Sequence, residues 1–266
     1  MDFGMPTLIE ASSLEACACL CRELNLQFVE LNMNLPEYQL EQIDSQKLSA
    51  LAQKYGIYFT IHLDENLNPC DFNSLVSDAW LQTVLDTIEL AKRCGIPVLN
   101  MHLAKGVYFT LPDSRVYLFE KYRSQYEEKL WNFCAKCERA IGDSEVCISL
   151  ENTDNWTPFE RNSLQTLLKS GAFGLTFDIG HGHSAGGWDE PFLLEHLEKL
   201  HHFHLHDAKG AKNHLPFGTG EIELGRYLRL AQSLNGRAVL EVKTVSALRE
   251  SVCWLQKYER GLLREQ

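Results

Sequence analysis

Four short apolar segments in the second half of the chain end in acidic or imidazole side chains. The segments VCISLEN, GLTFDIGHGH, HHFHLHDAKG and AVLEVK carry Glu151, Asp178, His206 and Glu241 at or near their carboxyl-terminal ends. An ionised or imidazole group at the end of a buried strand is costly unless it is paired or bound to a metal. Four such groups in succession predict one shared site.

The donor types in these segments indicate metal chemistry. Carboxylates and imidazoles without a thiolate suit Mn²⁺, Mg²⁺, Co²⁺ or Zn²⁺. A bound cation would also offset the repulsion among Glu151, Asp178 and Glu241. The sequence therefore predicts a divalent-metal site at these strand ends.

Eight strand-like segments alternate with eight helical patterns. The predicted strands cover 2–5, 28–33, 57–63, 98–103, 146–152, 174–179, 202–207 and 238–243. The predicted helices cover 14–24, 45–55, 71–94, 118–141, 159–170, 191–199, 224–234 and 247–259. Strands joined by helical crossovers pair in parallel, and eight such units close into a (β/α)₈ TIM barrel with its active site at the carboxyl ends of the strands. We therefore expect a single TIM-barrel domain over residues 1–266.

Side chains alternate between the two faces of a strand, so pairs of residues two apart share a face. The pairs that end in or include a polar group are Thr60/His62, Asn100/His102, Ser149/Glu151, Thr176/Asp178, His204/His206 and Val239/Glu241. His204 lies one pleat deeper than His206, where we expect a hydrogen-bonded core histidine. Glu30 is expected in the mouth of the barrel with no assigned role.

Composition narrows the class of protein. The chain has 266 residues, 45% of them hydrophobic, and a formal net charge of −11, which disfavours binding to a nucleic acid backbone. We find neither a transmembrane run nor an apolar leader, so we expect a cytoplasmic protein without a membrane partner. The nine cysteines, an odd number, are expected to be reduced packing residues.

The motifs LEN, FDIGH, HLHDAKG, HLPFGTGEI and LEVK occur in this order at the predicted ends of strands five to eight. Together they resemble the xylose isomerase-like TIM-barrel superfamily, and the resemblance covers nearly the whole chain. That superfamily contains sugar isomerases and epimerases, inosose dehydratases and endonuclease IV. The resemblance therefore implies a metal-dependent isomerase or epimerase acting on a small sugar or sugar phosphate, with a homo-oligomeric state left open.

The resemblance also implies roles for individual residues. One divalent metal would be bound by Glu151, Asp178, His206 and Glu241, and the two glutamates would move protons on opposite faces of the substrate. Lys212, six residues after His206, matches a basic substrate-binding residue of the epimerases. The substrate-binding candidates are His62, His102, His181, Lys212, His214 and Lys243.

Three alternatives remain open at this point. An endonuclease IV-like zinc phosphodiesterase would use a second zinc site at His62, His102 and Glu151, but Lys212 stands where that nuclease has a ligating aspartate. A polyol dehydratase or lyase would use the same carboxylates for elimination. A non-catalytic barrel would bind a sugar without exchanging its C–H protons.

Overall fold

The computed structural model describes residues 1–262 and contains a closed barrel of eight parallel strands. The barrel strands, numbered first to eighth in chain order, are Asp2–Pro6, Phe28–Asn32, Tyr58–His62, Val98–His102, Cys147–Glu151, Phe173–Asp178, Leu200–Leu205 and Arg237–Leu240. Each strand pairs with its sequence neighbours, and the eighth closes on the first through Gly4 and Val239. The predicted (β/α)₈ fold is confirmed.

Helices lie between successive strands. Their bounds are Leu14–Glu23, Ser45–Tyr55, Ser74–Cys94, Leu118–Lys121, Arg123–Ile141, Pro158–Leu167, Ile179–Ser184, Glu190–Glu195, Leu224–Ser233 and Val245–Glu259. Short 3₁₀ turns cover Pro36–Tyr38, Leu40–Gln42 and Leu197–Lys199. The second and third helices end at Gly56 and Gly95, whose positive φ angles of 63° and 67° favour glycine. No helix within residues 1–262 is long and apolar enough to cross a membrane.

Two predicted helices were wrong in part. The predicted helix at 118–141 is broken at Tyr122, which leaves helical geometry with φ −111° and ψ 46°. A small antiparallel hairpin of Tyr108–Thr110 and Arg115–Tyr117 precedes it. The predicted helix at 191–199 ends at Glu195 and continues only as a 3₁₀ turn. Neither break carries a glycine or proline signal, so periodicity alone did not reveal it.

The seventh strand starts and ends two residues earlier than predicted. It covers Leu200–Leu205, and His204 pairs in register with Asp178 of the sixth strand. A register shift between Leu175 and Thr176 accompanies this pairing. His204 therefore points into the barrel from within the strand, while His206 follows the strand's last residue.

A polar layer inside the barrel supports the strand ends. Thr176 Oγ1 donates a 2.6 Å hydrogen bond to Asn100 Oδ1 and lies 2.7 Å from Ser149 Oγ. With its oxygen so engaged, the Asn100 amide turns its Nδ2 to Glu151 and donates a hydrogen bond to Oε2. The alternate strand positions pack against the helices as a closed apolar layer that includes Val29, Leu31, Ile61, Leu99 and Leu150.

Asp207 fixes the loop that follows the seventh strand. Its buried carboxylate accepts four hydrogen bonds of 2.8–3.1 Å from the backbone N–H groups of Ala208, Gly218, Gly220 and Ile222. Residues Asp207–Lys209 and Lys212–Leu215 form a hairpin within this loop. The hairpin carries His214, which adopts a positive φ of 54°. Asp207 thus sets the position of a predicted site residue through the backbone.

We predict that Asp207→Ala destabilises the chain by about 3 kcal/mol or more, because four buried N–H groups lose a charged acceptor. Urea denaturation followed by circular dichroism measures this change. Lys209→Ala, an exposed change in the same hairpin, is the control and is expected to stay within about 0.5 kcal/mol of the wild type. Equal stabilities of the two variants would contradict the role given to Asp207.

Candidate metal centre

Three carboxylates and one histidine meet at the carboxyl ends of strands five to eight. One ligand atom from each of Glu151, Asp178, His204 and Glu241 lies within 4.8 Å of the other three, and all four residues are buried. His204 Nδ1 lies 3.0 Å from Glu241 Oε2, 3.4 Å from Glu151 Oε2 and 3.8 Å from Asp178 Oδ2. We call these four residues the carboxylate cluster.

Neighbouring strands position the carboxylate cluster. Asp178 and His204 are directly paired across strands six and seven, and Glu151 is the last residue of strand five. The Glu241 N–H donates a 2.9 Å hydrogen bond to the Leu205 carbonyl, which extends the pairing of strands seven and eight by one residue. Parallel strands in register therefore bring their terminal side chains to one point.

The sequence placed His206 in this cluster, whereas the structure places His204 there. His206 Nδ1 accepts a 2.8 Å hydrogen bond from the backbone N–H of His214. A neutral imidazole has one acceptor and one donor nitrogen, so the proton lies on Nε2, which is 3.0 Å from Asp178 Oδ1. Gly180 leaves room for this ring, because a Cβ there would lie 1.9 Å from it. His206 thus supports Asp178 in this geometry.

His204 controls the charge of the carboxylate cluster. Burial alone would raise the pKa values of Glu151 and Glu241, but the positive charge of His204 helps to hold both well below the usual range. Burial would lower the pKa of His204, yet the surrounding carboxylates of Glu151, Glu30 and Glu241 raise it well above the usual range. The carboxylates around His204 therefore favour its positively charged form.

Two further histidines approach Glu151 from strands three and four. His62 Nε2 and His102 Nε2 lie 3.4 and 3.3 Å from Glu151 Oε2, and the two rings meet edge to face. Burial would lower the pKa of His62, but hydrogen bonding to Glu151 and its charge raise the value to about 9. The structure thus brings together the three residues of the predicted second zinc-like site.

His181 and His214 form the wall of the mouth next to His206. The His206 and His214 rings stack with centroids 4.4 Å apart, and His181 meets both edge to face. His181 Nδ1 lies 3.2 Å from Asp178 Oδ2, and His214 Nε2 lies 3.3 Å from Glu241 Oε1. Because His206 Nε2 carries a proton, His181, His206 and His214 cannot all donate a nitrogen lone pair to one metal ion. Both flanking histidines instead contact cluster carboxylates.

The donor atoms of the carboxylate cluster fit a shared cation. Among residues 1–262, His204 Nδ1 and Glu241 Oε2 have no hydrogen-bond partner, although they lie only 3.0 Å apart. Buried polar atoms that converge without aligned hydrogen bonds require another explanation, and oxygen with imidazole donors suits Mn²⁺, Mg²⁺, Co²⁺ or Zn²⁺. A divalent cation bound here would displace protons from its ligands.

The two predicted lysines occupy different positions. Lys243 Nζ lies 2.8 Å from Glu241 Oε1, and both residues line a cavity of about 110 Å³ at the mouth. Lys212 is exposed on the hairpin after the seventh strand. A larger cavity of about 630 Å³ lies beside Phe72 and Tyr122 and contains none of the predicted site residues.

Sequence reasoning gave too little weight to three buried residues inside the barrel. His202 and His204 both contact Glu30 at 2.9 Å, and His204 also joins the carboxylate cluster. The signal was present in HHFHLH, where residues 202, 204 and 206 share one strand face. The predicted strand bounds assigned the outermost histidine to the site and the deeper ones to the core.

Comparisons with known proteins agree with this fold. The family described as xylose isomerase-like TIM barrel matches residues 19–258. A D-tagatose 3-epimerase-like protein is 26% identical and superposes with a TM-score of 0.79, covering 98% of this chain and 97% of that one. For 3-keto-D-glucoside 4-epimerase from E. coli the identity is 14%, the TM-score 0.75 and the coverage 97% and 99%.

The IOLI protein, whose structure contains a bound zinc atom, is 16% identical with a TM-score of 0.72, covering 98% of this chain and 96% of that one. At 14% and 16% identity, these likenesses establish the shared barrel fold. The family match spans most of the chain, and the barrel topology agrees with it. The chain belongs to the xylose isomerase-like TIM-barrel family.

Proposed function

We propose that this chain is a divalent-metal-dependent isomerase or epimerase of a sugar or sugar phosphate. The observation that carries the proposal is the convergence of Glu151, Asp178, His204 and Glu241 at the carboxyl ends of four barrel strands. Similarity to a D-tagatose 3-epimerase-like protein and to a 3-keto-D-glucoside 4-epimerase supports the reaction class. The zinc in the IOLI protein supports a metal in this fold.

The carboxylate cluster is the proposed ligand set, with His204 in place of the His206 expected from the sequence. His206 instead donates to Asp178 and limits the positions that this carboxylate adopts. When bound there, a divalent cation would polarise a ketose carbonyl and its neighbouring hydroxyl, which would acidify the C–H of the carbon that bears this hydroxyl. The protein groups around the cluster then orient the sugar and move the proton.

Glu241 is the better placed of the two glutamates to take a proton from a sugar. Its side chain is 11% exposed and lines the mouth cavity, whereas the Glu151 side chain is 1% exposed. Glu151 is enclosed by His62, His102 and Asn100. We therefore assign proton removal to Glu241. Glu151 is the candidate for returning the proton from the other side, as the family resemblance implies.

The groups around the carboxylate cluster suit a polyhydroxylated substrate. His62, His102, His181 and His214 offer ring nitrogens near the carboxylate cluster, and Lys243 adds a cationic donor. Such groups form hydrogen bonds with sugar hydroxyls, and a lysine also binds a phosphate. Return of the proton to the same carbon gives epimerisation, and return to the adjacent carbon gives aldose–ketose exchange.

One observation favours a second candidate function. His62 and His102 lie within 3.4 Å of Glu151, so a second cation sharing Glu151 would create a two-metal site. Two-metal sites catalyse phosphodiester hydrolysis. The net charge of −11 opposes association with DNA, and we therefore place a zinc phosphodiesterase second. Cleavage of a duplex with an abasic site tests it directly.

We predict one exchangeable divalent cation per chain in the protein as isolated, measured by native mass spectrometry with elemental analysis. Asp178→Asn removes a charged ligand and should reduce the metal content, while Lys212→Ala should leave it unchanged. Two or three tightly held zinc ions would favour the phosphodiesterase. A protein that binds none of Mn²⁺, Mg²⁺, Co²⁺ and Zn²⁺ at millimolar concentration would contradict the proposed function.

We predict that Glu241→Gln, with the metal site saturated, lowers turnover by at least about 100-fold, because an amide cannot accept the substrate proton. Loss of sugar C–H signals in deuterated water, followed by proton NMR across a panel of ketoses, measures the step. Glu145→Gln is the control, since Glu145 is exposed and precedes the fifth strand at the opposite end of the barrel. Full exchange by a folded Glu241→Gln protein would exclude Glu241 as the base.

We predict that Lys243→Ala raises KM more than Lys212→Ala, because Lys243 lines the mouth cavity beside Glu241 and Lys212 does not line it. Steady-state kinetics on the best sugar found in the panel, with and without a phosphate group, measures both variants. A larger effect for Lys212 would instead support the role that the family resemblance gives it. The hairpin would then have to approach the substrate during binding.

A further inference from the structure

Glu30 is a buried carboxylate that the proposed chemistry leaves unexplained. It lies on the second barrel strand and is 2% exposed. A carboxylate in this position is costly to bury unless its oxygens are well paired. Thr60 Oγ1 donates a 2.8 Å hydrogen bond to Oε2, and His202 Nε2 approaches the same oxygen at 2.9 Å. These two contacts engage Oε2 and fix the orientation of the carboxylate.

The other oxygen of Glu30 faces His204. Glu30 Oε1 lies 2.9 Å from His204 Nε2, and this is an ion-pair contact. The opposite nitrogen, His204 Nδ1, faces the carboxylate cluster, 3.0 Å from Glu241 Oε2. The imidazole therefore bridges Glu30 on one side and the proposed metal position on the other, and its own exposure is 0%.

We propose that Glu30 is a positioning residue of the metal centre, acting through His204. Its negative charge favours the proton of His204 on Nε2, which leaves the Nδ1 lone pair for the cation. A carboxylate behind a ligating histidine fixes both the tautomer and the ring orientation and makes the nitrogen a stronger donor. This inference rests on the proposed metal-dependent function and adds a residue from outside the ligand set.

The position of Glu30 in the barrel supports this role. Strand two lies across the barrel interior from strand seven, yet Glu30 contacts both inward-facing histidines of that strand, His202 and His204. The two contacts use different oxygens, so His202 and Thr60 hold the carboxylate while Oε1 stays directed at His204. Thr60 and His202 thus hold the Glu30 carboxylate in place, and the carboxylate in turn acts on His204.

The test is the metal affinity of Glu30→Gln, measured by competition with a chromophoric chelator for Mn²⁺, Co²⁺ and Zn²⁺. We expect affinity to fall about 10- to 100-fold, because the substitution removes the charge and keeps the shape. Glu160→Gln is the matched control, since it neutralises another buried glutamate, one that bonds Thr157 and contacts no residue of the carboxylate cluster. Its affinity should stay within about threefold of the wild type.

A double-variant cycle separates action through His204 from general loss of structure. Glu30→Gln added to His204→Gln should cause no further loss of affinity, because Glu30 has no ligating histidine to act on. The visible spectrum of bound Co²⁺ should differ between the wild type and His204→Gln, which reports the imidazole ligand. If Glu30→Gln does not fold, Glu30→Asp, which withdraws the charge from His204, replaces it and should show a smaller loss in the same direction.

The outcomes distinguish this inference from the proposed function. Tight metal binding by the wild type with unchanged affinity in Glu30→Gln would overturn the role of Glu30 and leave the metal-dependent function standing. Equal, additive losses in the His204→Gln background would also overturn it, since Glu30 would then act independently of His204. A wild-type chain that binds none of the three metals would overturn both.

Discussion

Mutual repulsion among three buried carboxylates is the constraint on which the mouth of this barrel depends. Glu151, Asp178 and Glu241 are brought within a few ångströms of one another by strands that pair in register. Two unit charges 4 Å apart interact by about 4 kcal/mol at the effective dielectric of a protein site, so such a cluster needs positive charge at its centre. His204 lies at that centre, where the surrounding carboxylates favour its positively charged form. A divalent cation would supply more positive charge than one histidine. The arrangement that is costly for folding is therefore favourable for binding a metal.

The layer beneath the cluster explains how the barrel tolerates these charges. Asn100 donates to Glu151 and is itself oriented by Thr176, while Glu30 contacts His204 from the opposite side. Buried polar groups of this kind are costly unless they are paired. Hydrogen bonds pair Asn100 with Glu151 and Thr176, while Glu30 and His204 meet through an ion-pair contact. The helices and the outward strand face provide the apolar burial that stabilises the whole. The site is thus preorganised by the barrel interior, and the residues proposed to bind substrate come both from strand ends, at His62 and His102, and from the segments above them, at His181, His214 and Lys243.

The sequence predicted the barrel because alternation of strands and helices reflects local periodicity, which each segment carries by itself. Glu151 and Asp178 were found for a related reason: each is the last residue of a short apolar strand. His204 was placed too deep because the end of the seventh strand depends on pairing with Asp178 and on the register shift near Leu175. The 108–117 hairpin was missed although Pro112, Asp113 and Ser114 give a turn signal between two short β-prone segments. The end of the seventh strand, by contrast, is set by tertiary pairing, which local patterns could not supply.

Two histidines separated by one residue end up with different roles, and their ring nitrogens explain why. His206 Nδ1 accepts the backbone N–H of His214, which forces the proton onto Nε2 and makes the ring a donor to Asp178. His204 meets the charge of Glu30 at Nε2, which favours a proton there and turns Nδ1 toward the carboxylates. Residue type and spacing are the same for both, so motif matching does not separate them. What separates them is the partner of the ring nitrogen that faces away from the carboxylates. For His206 that partner is the backbone N–H of His214, and for His204 it is the buried carboxylate of Glu30.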